Sequence, residues 1–418
     1  MPPPVTNDRA IMPVPETLSA AADGTRRLVS LDVLRGFDMF WIVGGASLVS
    51  ALGKAEEGTV LGTVRQQLSH VEWAGFHFYD MIFPLFVFIA GVSMVFSLSK
   101  AKESGGRAQA LRRVLGRGLL LYLVGVFYSG GFKDGLENVR WLGVLNRIAL
   151  AYTGAGVLFL LLPLRALVAA WAGLLLGYWA MMARVPIRDI RLQTEVVERL
   201  SAERGGKGAR ELYFATTNRV RGMYEPGYNV ANHFDFEHLP GKKWDKYWDP
   251  EGILSTFPAI GTCLLGAFAG LLLRRTDLPP TGKSVYLAIA GMVVLAIGLL
   301  WGHEFPIIKK IWSSSFVCVA GGWSLILLAG FHQVVDVWKV RWWTPPFLWI
   351  GMNALPVYLS ANILGTNGGY RAIAERVLGG PVKEWLGAGG PPAIAIGSLL
   401  LMLLFARFLY RRGIFLRL

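Results

Sequence analysis

Charged residues are scarce in this 418-residue chain. They make up 17% of the sequence, whereas a typical soluble domain has about 25%. Hydrophobic residues make up 53% of the chain, and the mean hydropathy is +0.44. This shortage of charge excludes an ordinary water-soluble domain and indicates that lipid is the solvent for most of the surface. Because helices satisfy their own backbone hydrogen bonds in lipid, the sequence predicts an all-α integral membrane protein.

Cysteine is also rare: the chain has two, Cys263 and Cys318, and both lie in apolar stretches. No Cys-x-x-Cys pair or Cys/His spacing typical of a metal site occurs, so we expect neither a bound metal nor a structural disulfide. The Walker loop, the dinucleotide fingerprint, the GxSxG elbow and the HExxH motif are absent too. The function must therefore come from polar residues inside or beside the apolar segments.

Acidic residues are outnumbered by basic ones, 28 against 42, which gives a formal net charge of +14. On a soluble protein such an excess can indicate nucleic acid, but membrane proteins retain Lys and Arg in their cytoplasmic loops. We therefore predict no nucleic-acid partner. Residues 1–27 are rich in Pro, Ala and polar residues and lack the apolar core of a signal peptide. This composition is typical of a disordered cytoplasmic tail, followed by a single transmembrane domain over 28–418.

About ten apolar stretches are long enough to cross a bilayer core of about 30 Å, which requires roughly 20 residues per helix. A large hydrophilic loop at about 184–251 separates the fifth stretch from the sixth. The stretches run approximately over residues 30–51, 80–99, 114–131, 141–162, 164–183, 252–273, 283–302, 313–332, 345–363 and 391–410.

The basic residues of the short loops indicate the orientation. With ten spans, most of them fall on one side, which the positive-inside rule assigns to the cytoplasm. The sequence therefore predicts a multi-pass protein of the cell's inner (cytoplasmic) membrane, with both termini cytoplasmic and the 184–251 loop outside. Lys133, Lys309 and Lys310 fall on the outer side and are exceptions to this rule.

Three ionisable residues open the first span, where lipid makes charge expensive. Asp32, Arg35 and Asp38 are spaced by three residues, which places them within about a third of the helix circumference. They form either a structural ion-pair ladder, or a site in which Arg35 faces an anionic ligand and the aspartates hold it in place.

Further polar residues lie within the later spans. Asn146 and Arg147 lie about two turns from the outer end of the fourth span, and a guanidinium at that depth needs partners, of which Asp80 is one geometric possibility. Asn353 lies in the ninth span. A helix–helix hydrogen bond explains Asn353 as well as ligand contact does.

A cluster of polar and aromatic residues precedes the second span, including His70, Trp73, His77 and Asp80. A neutral histidine suits acid–base chemistry or acyl transfer near pH 7, and a neighbouring carboxylate can fix its tautomer. The spacing alone does not choose between His70 and His77. A single histidine at a membrane boundary is also commonly just a hydrogen-bonding surface residue.

Two carboxylates, Asp249 and Glu251, mark the outer start of the sixth span, where the helix dipole favours negative charge. Helix capping explains Asp249 without any catalysis. Glu251 is less well explained by capping, so its role stays open.

Six motifs, taken together and in order, resemble the heparan-α-glucosaminide N-acetyltransferase family, and in particular its bacterial relatives that are known only as a domain of unknown function. The resemblance covers nearly the whole chain from about residue 27. The motifs are RLVSLDVLRGF, HVEWAGFHFYDMIFPLFVFIAGVSM, GVLNRIALAY, WDPEGILSTFPAI, FPIIKKIWSSSFV and GMNALPVY.

The resemblance implies a transmembrane acyltransferase that takes an acetyl group from cytoplasmic acetyl-CoA. The acceptor would be an amino sugar or a glycan hydroxyl on the outer side. The catalytic histidine of the family lies in an HxxWxG…D…FP motif, which His70, Trp73 and Asp80 match and His77 does not. The family's asparagine near the outer end of the first span is absent here, where Gly45 and Ala46 stand.

The implied roles complete the prediction. His70 would deprotonate the acceptor or carry the acetyl group itself, Asp80 would orient His70, and Arg147 or Asn353 would stabilise the oxyanion. Basic residues at helix ends, such as Arg112 and Arg113, would attract the phosphates of acetyl-CoA. The predicted acyl-CoA or substrate-binding residues are Asp32, Arg35, Asp38, Trp73, Asn146, Arg147, Asp249, Glu251 and Asn353.

Two alternatives remain at the level of the sequence. A transporter of sugars or other small molecules would also need buried Arg, Asp and Asn residues, but it would have no particular need for the His70 cluster. A non-enzymatic scaffold would tolerate changes at His70 and Arg147. The 184–251 loop would select the acceptor, and a homodimer would suit such a protein.

Overall fold

The computed structural model describes residues 28–51, 58–363 and 369–416. The predicted tail over 1–27 lies outside the described residues. Nearly all of the regular structure is helical. The helices are α1 Val29–Ala51, α2 Val60–Gln67, α3 Phe78–Tyr128, α4 Val144–Leu161, α5 Leu164–Arg184, α6 Thr194–Glu203, α7 Ala209–Ala215, α8 Val230–His238, α9 Thr256–Arg274, α10 Pro280–Trp301, α11 Ser314–Phe331, α12 Pro345–Met352, α13 Ala354–Ile363, α14 Gly369–Leu386 and α15 Gly390–Arg411.

Seven helical segments within the described ranges are long and apolar enough to cross a membrane, as judged by length and composition. They are α3, α4, α5, α9, α10, α11 together with the helical turn that extends it to Val337, and α15. The prediction of an all-α membrane protein is confirmed. The number of ten spans and the cytoplasmic position of both termini stay predictions.

Helix α3 is a hairpin of two helices. Its backbone leaves helical geometry at Gly105 and Gly106, and Gly106 has a φ of 75°, which glycine adopts without strain. Across this break the Arg117 guanidinium donates to the Ser97 hydroxyl at 3.2 Å. Twenty residues of straight helix would separate them by about 30 Å, so the two halves run antiparallel. They correspond to the predicted second and third spans, and both continue further toward the break than predicted.

Helices α3 and α9 pack with their backbones in close contact. A Cβ atom added to Gly266 would lie 2.0 Å from the carbonyl oxygen of Phe88, and one added to Gly91 would lie 1.9 Å from that of Cys263. Gly266 and Gly270 form a GxxxG pair, which typically permits close packing of membrane helices. This contact fixes α3, whose first turn holds Asp80, against the segment that follows Glu251.

The predicted ninth span is two short helices rather than one. Helices α12 and α13 meet at Asn353, whose backbone has φ −123° and ψ 30°. Its side-chain amide donates to the carbonyl oxygen of Trp349 at 3.2 Å. Such a side chain-to-backbone bond competes with regular helical hydrogen bonds, which explains the break.

The hydrophilic segment over 184–251 is folded. Strands β1 Ile187–Arg188 and β2 Arg219–Val220 pair in antiparallel fashion, and α6, α7 and α8 belong to the same segment. A small core of its own stabilises this segment. Buried members of that core include Leu192, Leu212, Tyr213 and Trp248.

The glycine contact predicts a matched pair of variants. Gly266→Ala adds one methyl group against the Phe88 carbonyl, and such overpacking costs about 1–3 kcal/mol. We expect a lower thermal unfolding temperature in detergent. Gly173→Ala adds the same methyl group to α5, where no atom lies within 4 Å, so its unfolding temperature stays at or above that of the wild type. Equal unfolding temperatures for the two variants would contradict this packing.

Candidate active site

A cavity of about 1560 Å³ runs through the helical bundle. Its wall includes Asp80, in the first turn of α3, and Lys100, in the same half of that helix. Because each helical residue advances about 1.5 Å, these two residues lie about 30 Å apart along the axis. The cavity therefore extends over the thickness of a bilayer's hydrocarbon core. One end is basic and lies beside the α3 hairpin, and the other contains His70.

His70 and Asp80 form a hydrogen-bonded pair at the second end. Nδ1 of His70 lies 2.8 Å from Oδ1 of Asp80. The other carboxylate oxygen, Oδ2, accepts from the backbone N–H groups of Val71 and His77, both at 3.2 Å. Because an ionised carboxylate only accepts, this contact places the imidazole proton on Nδ1 and leaves the Nε2 lone pair available.

Exposure separates the two members of the pair. The Asp80 side chain is 1% exposed, whereas that of His70 is 52% exposed and borders the cavity. The imidazole is therefore the accessible member of the pair, and the carboxylate lies almost wholly behind it. The aromatic ring of Tyr79 packs on the imidazole with the ring centroids 4.7 Å apart.

His77 takes a different position, although it belongs to the same sequence cluster. Its backbone precedes the first residue of α3, and Nδ1 lies 3.1 Å from the carbonyl oxygen of Ser69. Within the described part of the chain, the cavity wall includes His70 and not His77. The geometry thus agrees with the choice of His70 that the resemblance made.

Lys309 completes the cluster, although sequence reasoning assigned no role to it. Its ammonium nitrogen lies 3.3 Å from Oδ1 of Asp80 and 3.1 Å from Nδ1 of His70. Burial lowers the pKa of the Lys309 amine, and the charge of Asp80 opposes this change. The sequence contained one signal: Lys309 is an exception to the positive-inside pattern, and it lies in one of the motifs that carry the resemblance.

Gly45 and Ala46, where the resemblance leads one to expect an asparagine, lie in α1 beside this cluster. A Cβ atom added to Gly45 would lie 2.7 Å from the ring of Tyr79. A side chain at this position would displace the ring that packs on His70. The side chain of Ala46 lies outside the described part of the structure.

A second charged cluster adjoins the first. Arg140 binds Asp249 through two hydrogen bonds, at 2.9 and 2.8 Å, and binds Glu251 at 2.8 Å. Burial alone would lower the pKa of Arg140, but its bonds to the two carboxylates raise it overall. Burial also raises the pKa of Glu251, and Arg147 opposes this. Of the three paired residues, Glu251 borders the cavity.

This arrangement corrects the prediction for the sixth span. Helix α9 begins at Thr256, with Ser255 in the preceding cap position, so Asp249 does not cap it. Asp249 instead accepts from Arg140 and from the backbone N–H of Trp244 at 2.9 Å. Its role in the structure is to fix the segment that carries Glu251.

Arg147 lies on the cavity wall, as its depth in the fourth span suggested. The guanidinium lies over the Trp312 ring, 4.8 Å from its centroid, and donates to the Ser255 hydroxyl. Its Nε–H has no hydrogen-bond partner among the described residues. The proposed pairing with Asp80 is wrong, because Asp80 contacts His70 and Lys309 instead.

The two asparagines do not border the cavity in the described structure. The Asn146 amide donates to the carbonyl oxygen of Tyr122 at 2.9 Å, which joins α4 to α3. Asn353 bonds its own helix, as described above. Each therefore fits the helix-contact alternative, and neither is placed to stabilise an oxyanion in the cavity.

At the basic end, the Arg35 guanidinium has two side-chain partners. It contacts Asp32 at 3.0 Å and the Ser93 hydroxyl at 2.7 Å. The predicted ladder is wrong for Asp38, which is fully buried and whose carboxylate oxygens accept no hydrogen bond from the described residues. The basic residues that border this end of the cavity, besides Arg35, are Lys100, Arg112, Arg113 and Arg117.

Trp73 joins the 184–251 segment to the cavity. Its indole N–H donates to the carbonyl oxygen of Tyr224 at 2.7 Å, and its ring meets that of Trp248 edge to face, with centroids 5.7 Å apart. Trp73 also borders the cavity. Across the described ranges, no group of three or more His, Cys, Asp or Glu side chains is arranged to hold a metal ion.

The search for known relatives found no matching protein-family model. Over 330 residues, the chain is 27% identical to human (Homo sapiens) heparan-alpha-glucosaminide N-acetyltransferase, a match that covers 70% of this chain and 48% of that protein. The mouse (Mus musculus) protein of the same name is 27% identical over 331 residues, covering 71% and 49% respectively.

The chain spans about half the length of the curated relatives that it matches. The matches cover most of this chain, and the apolar helices of the structure fit a multi-pass membrane protein. The chain is thus a distant relative of the heparan-α-glucosaminide N-acetyltransferases.

Proposed function

We propose that the protein is a membrane acetyltransferase that uses acetyl-CoA. The acetyl group passes from the donor, bound at the basic end of the cavity, to an amine or hydroxyl of an amino sugar or glycan at the His70 end. One observation carries the proposal: a single cavity borders both the basic cluster and the His70–Asp80 pair. The names of the two relatives support acetyl transfer as the type of reaction.

The basic end suits the donor. Acetyl-CoA has a diphosphate and a further phosphate, and guanidinium groups bind phosphate through paired, charge-assisted hydrogen bonds. Arg112 and Arg113 are exposed at the start of the second α3 helix and border the cavity. From there the cavity wall becomes apolar, with Phe86 and Met94 among its side chains. This middle part suits the uncharged pantetheine arm.

The other end suits the chemistry. The acceptor amine or hydroxyl attacks the thioester carbonyl, and Nε2 of His70 takes its proton while Asp80 holds the imidazole in place. The free Nε–H of Arg147 is a donor for the negative charge that forms on the carbonyl oxygen. The thiolate of CoA then leaves and takes up the proton. In the second route, Nε2 attacks the thioester first and passes the acetyl group on.

The proposed orientation follows from the same cavity. The basic end faces the cytoplasm, where acetyl-CoA is available, and the His70 end faces the outer side together with the folded 184–251 unit. This arrangement corresponds to the ten spans and cytoplasmic termini predicted from the loop charges, in the inner membrane of a cell. A cavity of this length also suits transport, but a transporter has no need for a histidine that a buried carboxylate holds in one tautomer.

One prediction of the proposed function concerns His70. We expect His70→Ala to lower acceptor-dependent release of CoA by about 100-fold or more, because loss of a general base typically costs 10²–10⁴-fold. The KM for acetyl-CoA stays near that of the wild type, since the donor phosphates bind at the other end. The measurement is CoA release by purified protein in detergent, with a panel of amino sugars.

His303→Ala is the matched control. His303 is exposed in the turn after α10 and is not part of the cavity wall in the described structure. Its variant should release CoA at the wild-type rate. Equal activity of the two variants would remove His70 from the reaction. Absence of turnover by folded wild-type protein, together with flux of a sugar into proteoliposomes, would favour transport.

The second prediction concerns the donor end. Replacing both Arg112 and Arg113 with alanine should raise the KM for acetyl-CoA about 10-fold or more, since a charge-assisted hydrogen bond contributes about 1.5–3 kcal/mol. The kcat should change little, and higher salt should raise the wild-type KM.

Arg165→Ala serves as the comparison for the donor end. Arg165 is exposed at the start of α5 and does not border the cavity within the described ranges. We expect its KM to equal that of the wild type. A double variant with an unchanged KM would show that the donor binds elsewhere.

A further inference from the structure

The position of Lys309 is fixed by the backbone around it. The N–H of Gly75 donates to the carbonyl oxygen of Ile307 at 2.9 Å, and Ala74 pairs with Ile308 in an antiparallel bridge. These contacts join the loop that follows His70 to the loop that carries Lys309. The hydroxyl of Ser313 accepts from the N–H of Ile308 at 3.0 Å, which closes the second loop. Lys309 is therefore held beside His70 rather than free to swing away on a mobile loop.

Asp80 and Lys309 compete for one atom, Nδ1 of His70. Nδ1 of His70 lies 2.8 Å from Oδ1 of Asp80 and 3.1 Å from Nζ of Lys309. Nδ1 has one position in the plane of the ring for a proton or a lone pair. It therefore either donates to Asp80 or accepts from Lys309, and it cannot do both at once.

The charges impose the same restriction. An imidazolium and an ammonium at this separation repel strongly in a partly buried site, and Asp80 supplies one negative charge between them. The Lys309 side chain is 18% exposed, so water screens the repulsion poorly. The other charged groups near Lys309 are Glu251, which is held by Arg140, and the adjacent Lys310 on the cavity wall.

We propose that His70 and Lys309 share a single proton, so that Lys309 holds the Nδ1 proton while Nε2 takes the proton of the acceptor. Lys309 thus acts through His70, as a partner that keeps the imidazole neutral during the reaction. The inference rests on the acetyl transfer proposed above and adds to it a residue that neither the motifs nor the relatives' names assign. The lowered pKa of the Lys309 amine supports it, because an uncharged amine is then more readily available.

The proton balance closes within one turnover. The acceptor nitrogen forms a bond to the acetyl carbon and its proton moves to Nε2, while the Nδ1 proton moves to Nζ of Lys309. The bond from the acetyl carbon to sulfur breaks, and the thiolate takes the proton from Nε2. Lys309 then returns its proton to Nδ1. The products are the acetylated acceptor and the free thiol of CoA, and Lys309 ends as it began.

The test compares two substitutions of Lys309. Lys309→Arg keeps a permanent charge that binds Asp80 and cannot be discharged, so it opposes proton uptake by His70. Lys309→Met removes the charge and leaves the His70–Asp80 pair to work alone. We expect kcat to fall about 100-fold or more in the arginine variant but only about 10-fold in the methionine variant, with an unchanged KM for acetyl-CoA. The assay is CoA release with amino-sugar acceptors.

A structural or purely electrostatic role predicts the reverse order, because arginine would preserve the ion pair with Asp80. Activity of Lys309→Arg equal to or above that of Lys309→Met therefore overturns the inference, as does wild-type activity in both. The pH profile of kcat gives a second readout. Removing one of two coupled groups changes the shape of the profile, whereas a structural defect lowers kcat equally at every pH. The exposed Lys133, changed to Arg or Met, is the control for lysine substitution.

A measurement on the resting wild-type protein does not depend on turnover or on variants that fold. Competitive labelling with acetic anhydride, read by mass spectrometry, reports the uncharged fraction of each lysine. Lys309 should become reactive at a lower pH than Lys133. The same midpoint for both lysines overturns the sharing of a proton. If His70→Ala loses activity while the Lys309 variants keep it, the inference is rejected and the proposed function stands. If the wild-type protein shows no turnover but Lys309 is labelled at a lower pH, the proposed function alone is rejected.

Discussion

A buried carboxylate in the first turn of a membrane helix must be neutralised, and the site is built around this requirement at Asp80. Removing such a charge from water costs several kcal/mol unless partners replace the lost hydration. Asp80 accepts from two backbone N–H groups and contacts the imidazole of His70 and the side-chain nitrogen of Lys309. Two loops that are far apart in the sequence converge on it for this reason. Of these contacts, the one between Oδ1 of Asp80 and Nδ1 of His70 favours the tautomer with the proton on Nδ1.

The neighbouring cluster follows the same physical rule with the opposite sign. Arg140 is half-buried and bonds to both Asp249 and Glu251, so one guanidinium compensates two carboxylates. Glu251 in turn acts on Arg147 and on Lys309 through its charge. The two clusters therefore form a continuous set of compensated charges on one cavity, and a change at one residue alters the balance at the others.

The apolar pattern of the sequence predicted most of the helices, because the length of a membrane helix is set by the bilayer. The predicted span over 164–183 ends one residue before α5 does, and the predicted span over 391–410 is one residue shorter than α15 at each end. The hairpin in α3 was predicted as two shorter spans, since the polar residues around Gly105 hide its helical continuation. The break at Asn353 was missed because the apolar pattern of the predicted ninth span continues on both sides of this residue.

The site was less accessible to sequence reasoning, because its contacts are distant in the chain. Lys309 lies 229 residues from Asp80, and Arg140 lies 109 residues from Asp249. Local spacing suggested Asp38 as a partner of Arg35, and depth in the membrane suggested Asp80 as a partner of Arg147. In the structure Arg35 contacts Asp32 and Ser93, and Arg147 contacts Ser255. His70 could be chosen over His77 only through the resemblance, since both lie within the same short cluster.

The length of the cavity has an electrical consequence. A polar path of about 30 Å across a bilayer would conduct protons and ions and dissipate the membrane potential. Between its charged ends, however, the wall includes the apolar side chains of Phe83, Phe86, Ile89 and Met94, and an apolar lining opposes the passage of hydrated ions. An uncharged acyl chain can occupy such a region without hydration. A long cavity of this kind therefore need not be a conducting pore.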